Sequence, residues 1–286
     1  MEDLKMGRNE NITIFQDTEK LCKTNDMLIH AVKYSSKNQR LIFESKEVTA
    51  SANAPKKYEA PALLPVSKRR TLEAASQYKG QKTAVLNFAS ATNPGGGVIK
   101  GSDAQEEAIC RCSSLYFSLN ERAMWDGFYS PHRAAKNPLH NDDCIYTPDV
   151  IVFKSDTANP ELLPLKDWYK VNVITCAAPN LRERPGNSMN PGKGNTPARL
   201  TDRDLLAIHE KRLRRILDIA AAEENEVVIL GAFGCGAFLN PPRIVARAMK
   251  NVVKERRHDF KVIEFAVYCP PRDDSNYKMF ERIMNF

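Results

Sequence analysis

From Lys82 onward, short continuous apolar runs alternate with longer stretches in which apolar residues recur every three or four positions. The run 83–89, TAVLNFA, has strand length and no polar alternation, which fits a strand buried on both faces of a parallel sheet. Similar runs predict strands at 149–153, 171–178, 226–230 and 262–268. Helical spacing predicts helices at 103–120, 203–222, 242–257 and 276–284, and another near 69–78 leads into the core. Ile109, Cys112, Tyr116 and Leu119 form the single apolar stripe of the first of these. The alternation implies an α/β fold, a three-layer α/β/α sandwich with ligand loops at the C-terminal ends of its strands.

Residues 1–80 read as an N-terminal accessory segment: a helix around 12–23, strand-like runs at Met27–Lys33 and Arg40–Phe43, and a stretch rich in Ala, Pro and Lys at Ser51–Val66 that reads as a linker. The main domain is expected at 81–286, and Arg182–Leu200, dense in Pro, Gly and Asn, reads as a long loop near the site. A length of 286 residues suits one elaborated domain or two smaller ones.

The net charge of +7 changes the picture only slightly, because Lys and Arg are spread along the chain. The densest runs, Lys211-Arg212 with Arg214-Arg215 and Lys254-Glu255-Arg256-Arg257, read as solvated helix faces without interleaved aromatics. A basic average still favours a polyanionic partner. Seven cysteines read as reduced thiols, and Cys110-Arg111-Cys112 is too tight for a C-x₂-C zinc knuckle. Five histidines form no ligand pattern, so no metal and no cofactor are expected, and His132 and His140 read as surface residues flanking a loop. No 18-residue apolar stretch or charged-then-apolar leader appears, so neither a membrane span nor a signal peptide is expected and the cytoplasm is the default.

Candidate chemistry is concentrated in two glycine-rich loops. The 83–89 strand continues through Asn93 and Pro94 into Gly95-Gly96-Gly97, where missing Cβ atoms let backbone N–H groups approach an anion or a sugar. Ser102 reads as an N-cap, with Gln105 completing a capping box. Glu106 and Glu107 then fall in the first helical turn, about 100° apart around the axis, so they cannot serve one identical role. First-turn acids commonly just complement the helix dipole; their place beside the triple glycine is what marks these two. The second loop, Gly231 to Asn240, ends a strand and precedes a helix capped by Asn240 with proline at its first position. Its glycines at 231, 234 and 236 are not in G-x-G-x-x-G order, and no G-K-[S/T] follows either loop, so hydride transfer and NTP hydrolysis are poor readings. Two such loops suit the two phosphates of a diphosphate. Cys235 has no histidine nearby in sequence and reads as a small residue, not a nucleophile.

The run 85–97, VLNFASATNPGGG, followed after a seven-residue spacer by Gln105-Glu106-Glu107, resembles the bacterial-type poly(ADP-ribose) glycohydrolases of the macrodomain superfamily. The runs 177–180, AAPN, and 230–238, LGAFGCGAF, match the same family in the same order, and the similarity covers most of 80–286. Phe233 departs from it, standing where the family often has Trp. The resemblance implies a macrodomain-like catalytic domain with a mixed central sheet. It implies Glu107 as general acid and base, and Glu106 as the neighbour that helps hold the scissile ribose linkage. It further places Asn93 and Gly95, Gly96 and Gly97 around the distal ribose, Gln105 beside them in the signature, Gly234, Cys235, Gly236 and Ala237 at the diphosphate, and Phe238 against the terminal ribose.

The activity implied is hydrolysis of the ribose–ribose O-glycosidic bond of poly(ADP-ribose) from chain ends, releasing ADP-ribose. Its partners are then ADP-ribose, the polymer and ADP-ribosylated macromolecules, with no obligate protein partner. Such a cleavage needs a proton for the departing 2′-oxygen and stabilisation of an oxocarbenium-like centre. Two alternatives stay open: removal of single ADP-ribose units from protein or nucleobase, and a reader that binds ADP-ribose without cutting it.

Overall fold

The computed structural model describes residues 7–48, 57–186, 194–270 and 272–285. Its centre is a seven-stranded mixed sheet in the order β1-β4-β5-β3-β6-β7-β2. The strands are β1 (Arg40–Ile42), β2 (Val66–Ser67), β3 (Thr83–Phe88), β4 (Cys144–Val152), β5 (Tyr169–Cys176), β6 (Val227–Leu230) and β7 (Val262–Ala266). β3 lies in the middle, parallel to β5 on one side and β6 on the other, and β7 and β2 continue the parallel run. β4 pairs antiparallel with both β5 and β1.

Strand alternation sends neighbouring residues to opposite faces. Leu86, Ile174, Leu230 and Phe265 pack on one face under α8 (Asp202–Ala222), α9 (Pro242–Arg256) and α10 (Ser275–Met284). On the other face Val85, Val173 and Ile229 meet Phe15, Leu72, Ile109 and Leu115. Those four belong to α1 (Arg8–Thr24), α3 (Thr71–Ala75), α4 (Gln105–Cys112) and α5 (Leu115–Leu119). α2 (Asp26–Asn38) buries Leu28 with Ile151 and Phe153. α6 (Arg122–Met124) runs through a π turn at Trp125–Tyr129 into α7 (Ser130–Ala135). The expected three-layer α/β/α, macrodomain-like arrangement is what the chain adopts.

Local differences from the sequence reading have identifiable causes. Met27–Lys33, expected as strand-like, lies inside α2, where the Asn25 side chain caps the helix by accepting from the Leu28 N–H at 3.2 Å. The helix expected over 103–120 breaks at Ser113, whose backbone is extended and bridges Val152 while its hydroxyl donates to Ile109 O at 2.8 Å. Of the linker expected at 51–66, residues 51–56 lie outside the described residues, and from Tyr58 the chain bonds along the β7 edge, with Leu63 N–H on Lys261 O at 3.0 Å. Of the expected loop 182–200, residues 187–193 also lie outside them. α1 is tied to α4 and the loop before it by Thr18, whose hydroxyl donates to Arg111 O at 2.6 Å, and by Asn11, whose amide donates to Gly101 O at 3.3 Å. Among the described residues, no helix is long and apolar enough to cross a membrane.

Candidate active site

The parallel strands β3, β5, β6 and β7 end on one side of the sheet, so the loops that follow them converge there. Between these loops and the start of α4 lies a cavity of about 520 Å³. Gln105, Glu106, Glu107, Gly234, Gly236, Ala237 and Phe238 line it, whereas Asn93, Gly95, Gly96, Gly97 and Cys235 do not.

The two glutamates are nearly sealed from solvent, Glu106 at 2% exposure and Glu107 at 6%, and every carboxylate oxygen has a donor. Glu107 Oε1 accepts from the Gly97 N–H at 2.8 Å, and its Oε2 reaches back to the Ala104 N–H at 3.1 Å. The helix therefore starts two residues later than the expected box, with Ala104 as the cap and Glu107, not Gln105, closing on it. Ser102, expected as the cap, instead offers its carbonyl to Arg111 at 2.6 Å. Glu106 Oε2 accepts from the Ser90 N–H at 2.7 Å and its Oε1 from Asn87 Nδ2 at 3.3 Å. Gly96 packs against both carboxylates, and a Cβ there would strike Glu107 Oε1. The buried glycine loop is thus a mould for the acids and not itself a wall of the cavity.

Gln105 joins α4 to the end of β3. Its amide nitrogen donates to Leu86 O at 2.7 Å and Thr71 Oγ1 at 2.9 Å, and its oxygen accepts from the Phe88 N–H at 2.8 Å. The Asn93 side chain donates to Thr92 Oγ1 at 3.0 Å and accepts from Arg133, whose guanidinium lies 4.7 Å from the Trp125 ring centroid. In the second loop Gly234 holds φ at +79°, and a Cβ there would meet Ala178 and Asn240 at 2.6 Å. Asn240, expected as a helix cap, gives that place to Pro241 and uses its amide within the loop. Burial pushes the Cys235 thiol well above its ordinary value, and it does the same to Cys110, with Glu106 and Glu107 adding to the effect. Neither is a ready thiolate.

Three residues expected at the surface are buried. His132 and His140 are both buried: His140 Nδ1 donates to Ala178 O at 2.9 Å and its ring lies 5.9 Å from that of Phe238. His132 is held between Phe128 O and Asn141 Oδ1. Arg212, expected on a solvated face, is 2% exposed, because helical periodicity carries it inward with Leu205, His209 and Ile216. Its guanidinium donates to Asp142 Oδ1 at 2.8 Å and Ala177 O at 2.6 Å. Burial works against the charge on Asp142, yet Arg212 and Lys211 hold its carboxyl below the usual range.

Sequence reading missed a group of residues that also line the cavity: Arg70, Thr71, Asp156, Tyr268 and Asn276. The Arg70 guanidinium sits 3.9 Å over the Tyr268 ring. Asp156 accepts from the Leu72 N–H at 2.9 Å, and burial pushes its carboxyl above the usual range. Tyr268 had an available signal, because it follows a parallel strand at its C-terminal end.

Fold and site together define a macrodomain-like α/β protein with a glutamate pair at a cavity of nucleotide size. The family model for the microbial-type PARG catalytic domain matches residues 9–155. The poly(ADP-ribose) glycohydrolase of Thermomonospora curvata superposes with a TM-score of 0.82 at 27% identity, over 96% of this chain and 99% of that one. The same enzyme bound to the inhibitor ADP-HPD gives 0.79 at 27% identity, over the same 96% and 99%. The poly(ADP-ribose) glycohydrolase of Deinococcus radiodurans in complex with ADP-ribose gives 0.74 at 31% identity, over 89% of this chain and 97% of that one. No curated protein matches the chain. The chain belongs to the microbial-type PARG family, the microbial poly(ADP-ribose) glycohydrolases.

Proposed function

We propose that this protein is a poly(ADP-ribose) glycohydrolase that hydrolyses the ribose–ribose O-glycosidic bond and releases ADP-ribose. One observation carries the reading: two buried carboxylates, Glu107 oriented by the Gly97 and Ala104 N–H groups and Glu106 by the Ser90 N–H, line a cavity that a second glycine loop also lines. A volume of about 520 Å³ is compatible with one nucleotide-sugar unit, and action from chain ends is what the family resemblance implies.

In the proposed reaction Glu107 gives a proton to the departing 2′-oxygen as the anomeric C–O bond breaks. It then takes a proton from the water that attacks the anomeric carbon, so the acid is restored and one water is consumed. Glu106, fixed by Ser90 and Asn87, holds the scissile linkage in position. Gly234, Gly236 and Ala237 take the diphosphate and Phe238 packs against the terminal ribose, while Tyr268, whose ring lies under the Arg70 guanidinium, supplies an aromatic wall for the base. Asn93 and Gly95 to Gly97 shape the distal-ribose side through the side chains they hold. ADP-ribosylated macromolecules are the partners this implies, and a reducing compartment such as the cytoplasm suits seven unpaired cysteines.

The test is incubation with the polymer and, separately, with mono-ADP-ribosylated protein, following free ADP-ribose. Release from the polymer as single units supports the reading. Release only from the mono-modified protein makes the protein a mono-ADP-ribosyl hydrolase, and binding without release makes it a reader.

A further inference from the structure

Behind the second glycine loop stands a buried side-chain pair that the reaction described so far does not use. Asn240 Nδ2 donates to Pro179 O at 2.7 Å and Gly234 O at 3.1 Å, with Phe238 O at 3.4 Å. Pro179 belongs to the loop after β5, whereas Gly234 and Phe238 are themselves part of the β6 loop that lines the cavity. One amide therefore joins two loops. All three partners are acceptors, so the nitrogen of the amide must face them and its oxygen must face the other way. There Asn240 Oδ1 meets His209 Nε2 at 2.9 Å, which fixes the hydrogen of the imidazole on Nε2.

That choice of tautomer has a cost. Nδ1 of His209 is left as a buried acceptor with no partner among the described residues, and burial drags the ring's pKa down to about 4. A residue kept at an unpaired atom's expense is best explained by what its other nitrogen does. Electrostatics supplies the reason: a carbonyl oxygen turned toward an anionic ligand repels it, and here the Gly234 and Phe238 carbonyls are bound by the Asn240 amide. Gly236 and Ala237, between them, are left lining the cavity.

We propose that His209 and Asn240 are positioning residues for the β6 loop: the Nε2–H of His209 orients the Asn240 amide, which ties down the loop carbonyls and so presets the loop for the substrate's diphosphate. The proposal rests on the reading of that loop as the diphosphate site.

The experiment measures ADP-ribose affinity by calorimetry, together with KM and kcat on the polymer, for the wild type and for Asn240→Ala, His209→Phe and His209→Gln. Asn240→Ala and His209→Phe should each raise KM and weaken ADP-ribose binding by about tenfold or more, with kcat changed by less than about threefold. Glutamine can still donate to Asn240, so His209→Gln should recover most of the affinity. If Asn240→Ala does not fold, the contrast between His209→Phe and His209→Gln decides. A lower Tm with unchanged KM and affinity in the folded variants makes the pair merely structural and overturns the proposal. Wild-type protein that fails to bind ADP-ribose at all overturns the underlying reading, and the clamp with it.

Discussion

Gly96 stands against Glu107 in the left-handed region, at φ +61°, with no room for a β-carbon beside Glu107 Oε1. Backbone conformation and acid position are therefore one constraint. Gly96→Ala meets an unfavourable φ costing about 1–2 kcal/mol and also displaces the carboxylate. We expect a lower Tm together with a fall in turnover of about 10²-fold or more, checked by thermal unfolding and ADP-ribose release.

Gly236→Ala is the complementary case. A Cβ there meets nothing within 4 Å and the residue's φ is not positive, so the fold should be untouched. Because Gly236 lines the cavity, a weaker ADP-ribose affinity with unchanged Tm would report the ligand's own closeness to that atom. Unchanged affinity would remove the diphosphate from this loop.

Glu107→Gln keeps the size of the side chain but cannot move a proton, and it gives up one of the two backbone N–H bonds that the carboxylate accepts. Turnover should fall by about 10²–10⁴-fold while ADP-ribose still binds within a few-fold of wild type. Calorimetry beside the release assay separates the two effects. Loss of binding and turnover together would mean that Glu107 holds the ligand and does not act on the bond.

Acid should destabilise the protein through His209. Its folded pKa is about 4, below the ordinary 6.5, so the unfolded chain binds the extra proton first and stability falls as pH drops from about 6.5 toward 4. The histidine's share is about 3 kcal/mol across that window. His209→Gln should remove it, so the difference in unfolding free energy between variant and wild type should change with pH over that range and be flat above pH 7.

Asp142→Asn strands the Arg212 charge in the interior. Breaking a buried pair from one side typically costs about 3–5 kcal/mol, and the denaturation midpoint should drop accordingly. Because the same guanidinium holds Ala177 O, the loop after β5 should loosen, which hydrogen exchange at Ala178 and Asn180 can read.

Much of this was legible in the chain. Continuous apolar runs such as 83–89 mark parallel strands because both faces are covered, and the paired acids after the triple glycine do line the cavity. What stayed hidden depends on distant partners. Met27–Lys33 carries the β-branched residues of a strand, but Leu28 and Ser35 fall on one buried helical face and Asn25 supplies the cap. Arg212 looked like a solvated charge because Asp142 is 70 residues away, and His140 looked exposed because Ala178 and Phe238 reach it only in the folded chain. Asp156 sits on a loop with no periodicity to reveal it, and Arg70, expected within the helix near 69–78, is the residue before its first turn, so its place at the cavity depends on partners distant in sequence.

The first eighty residues supply both rims of the sheet, β1 along β4 and β2 along β7. A fragment beginning at residue 81 would leave two rows of backbone donors and acceptors open to water and to one another. Such margins recruit further copies of themselves. The early part of the chain is in that sense a guard against self-association, and its removal should give aggregates in place of a smaller working enzyme.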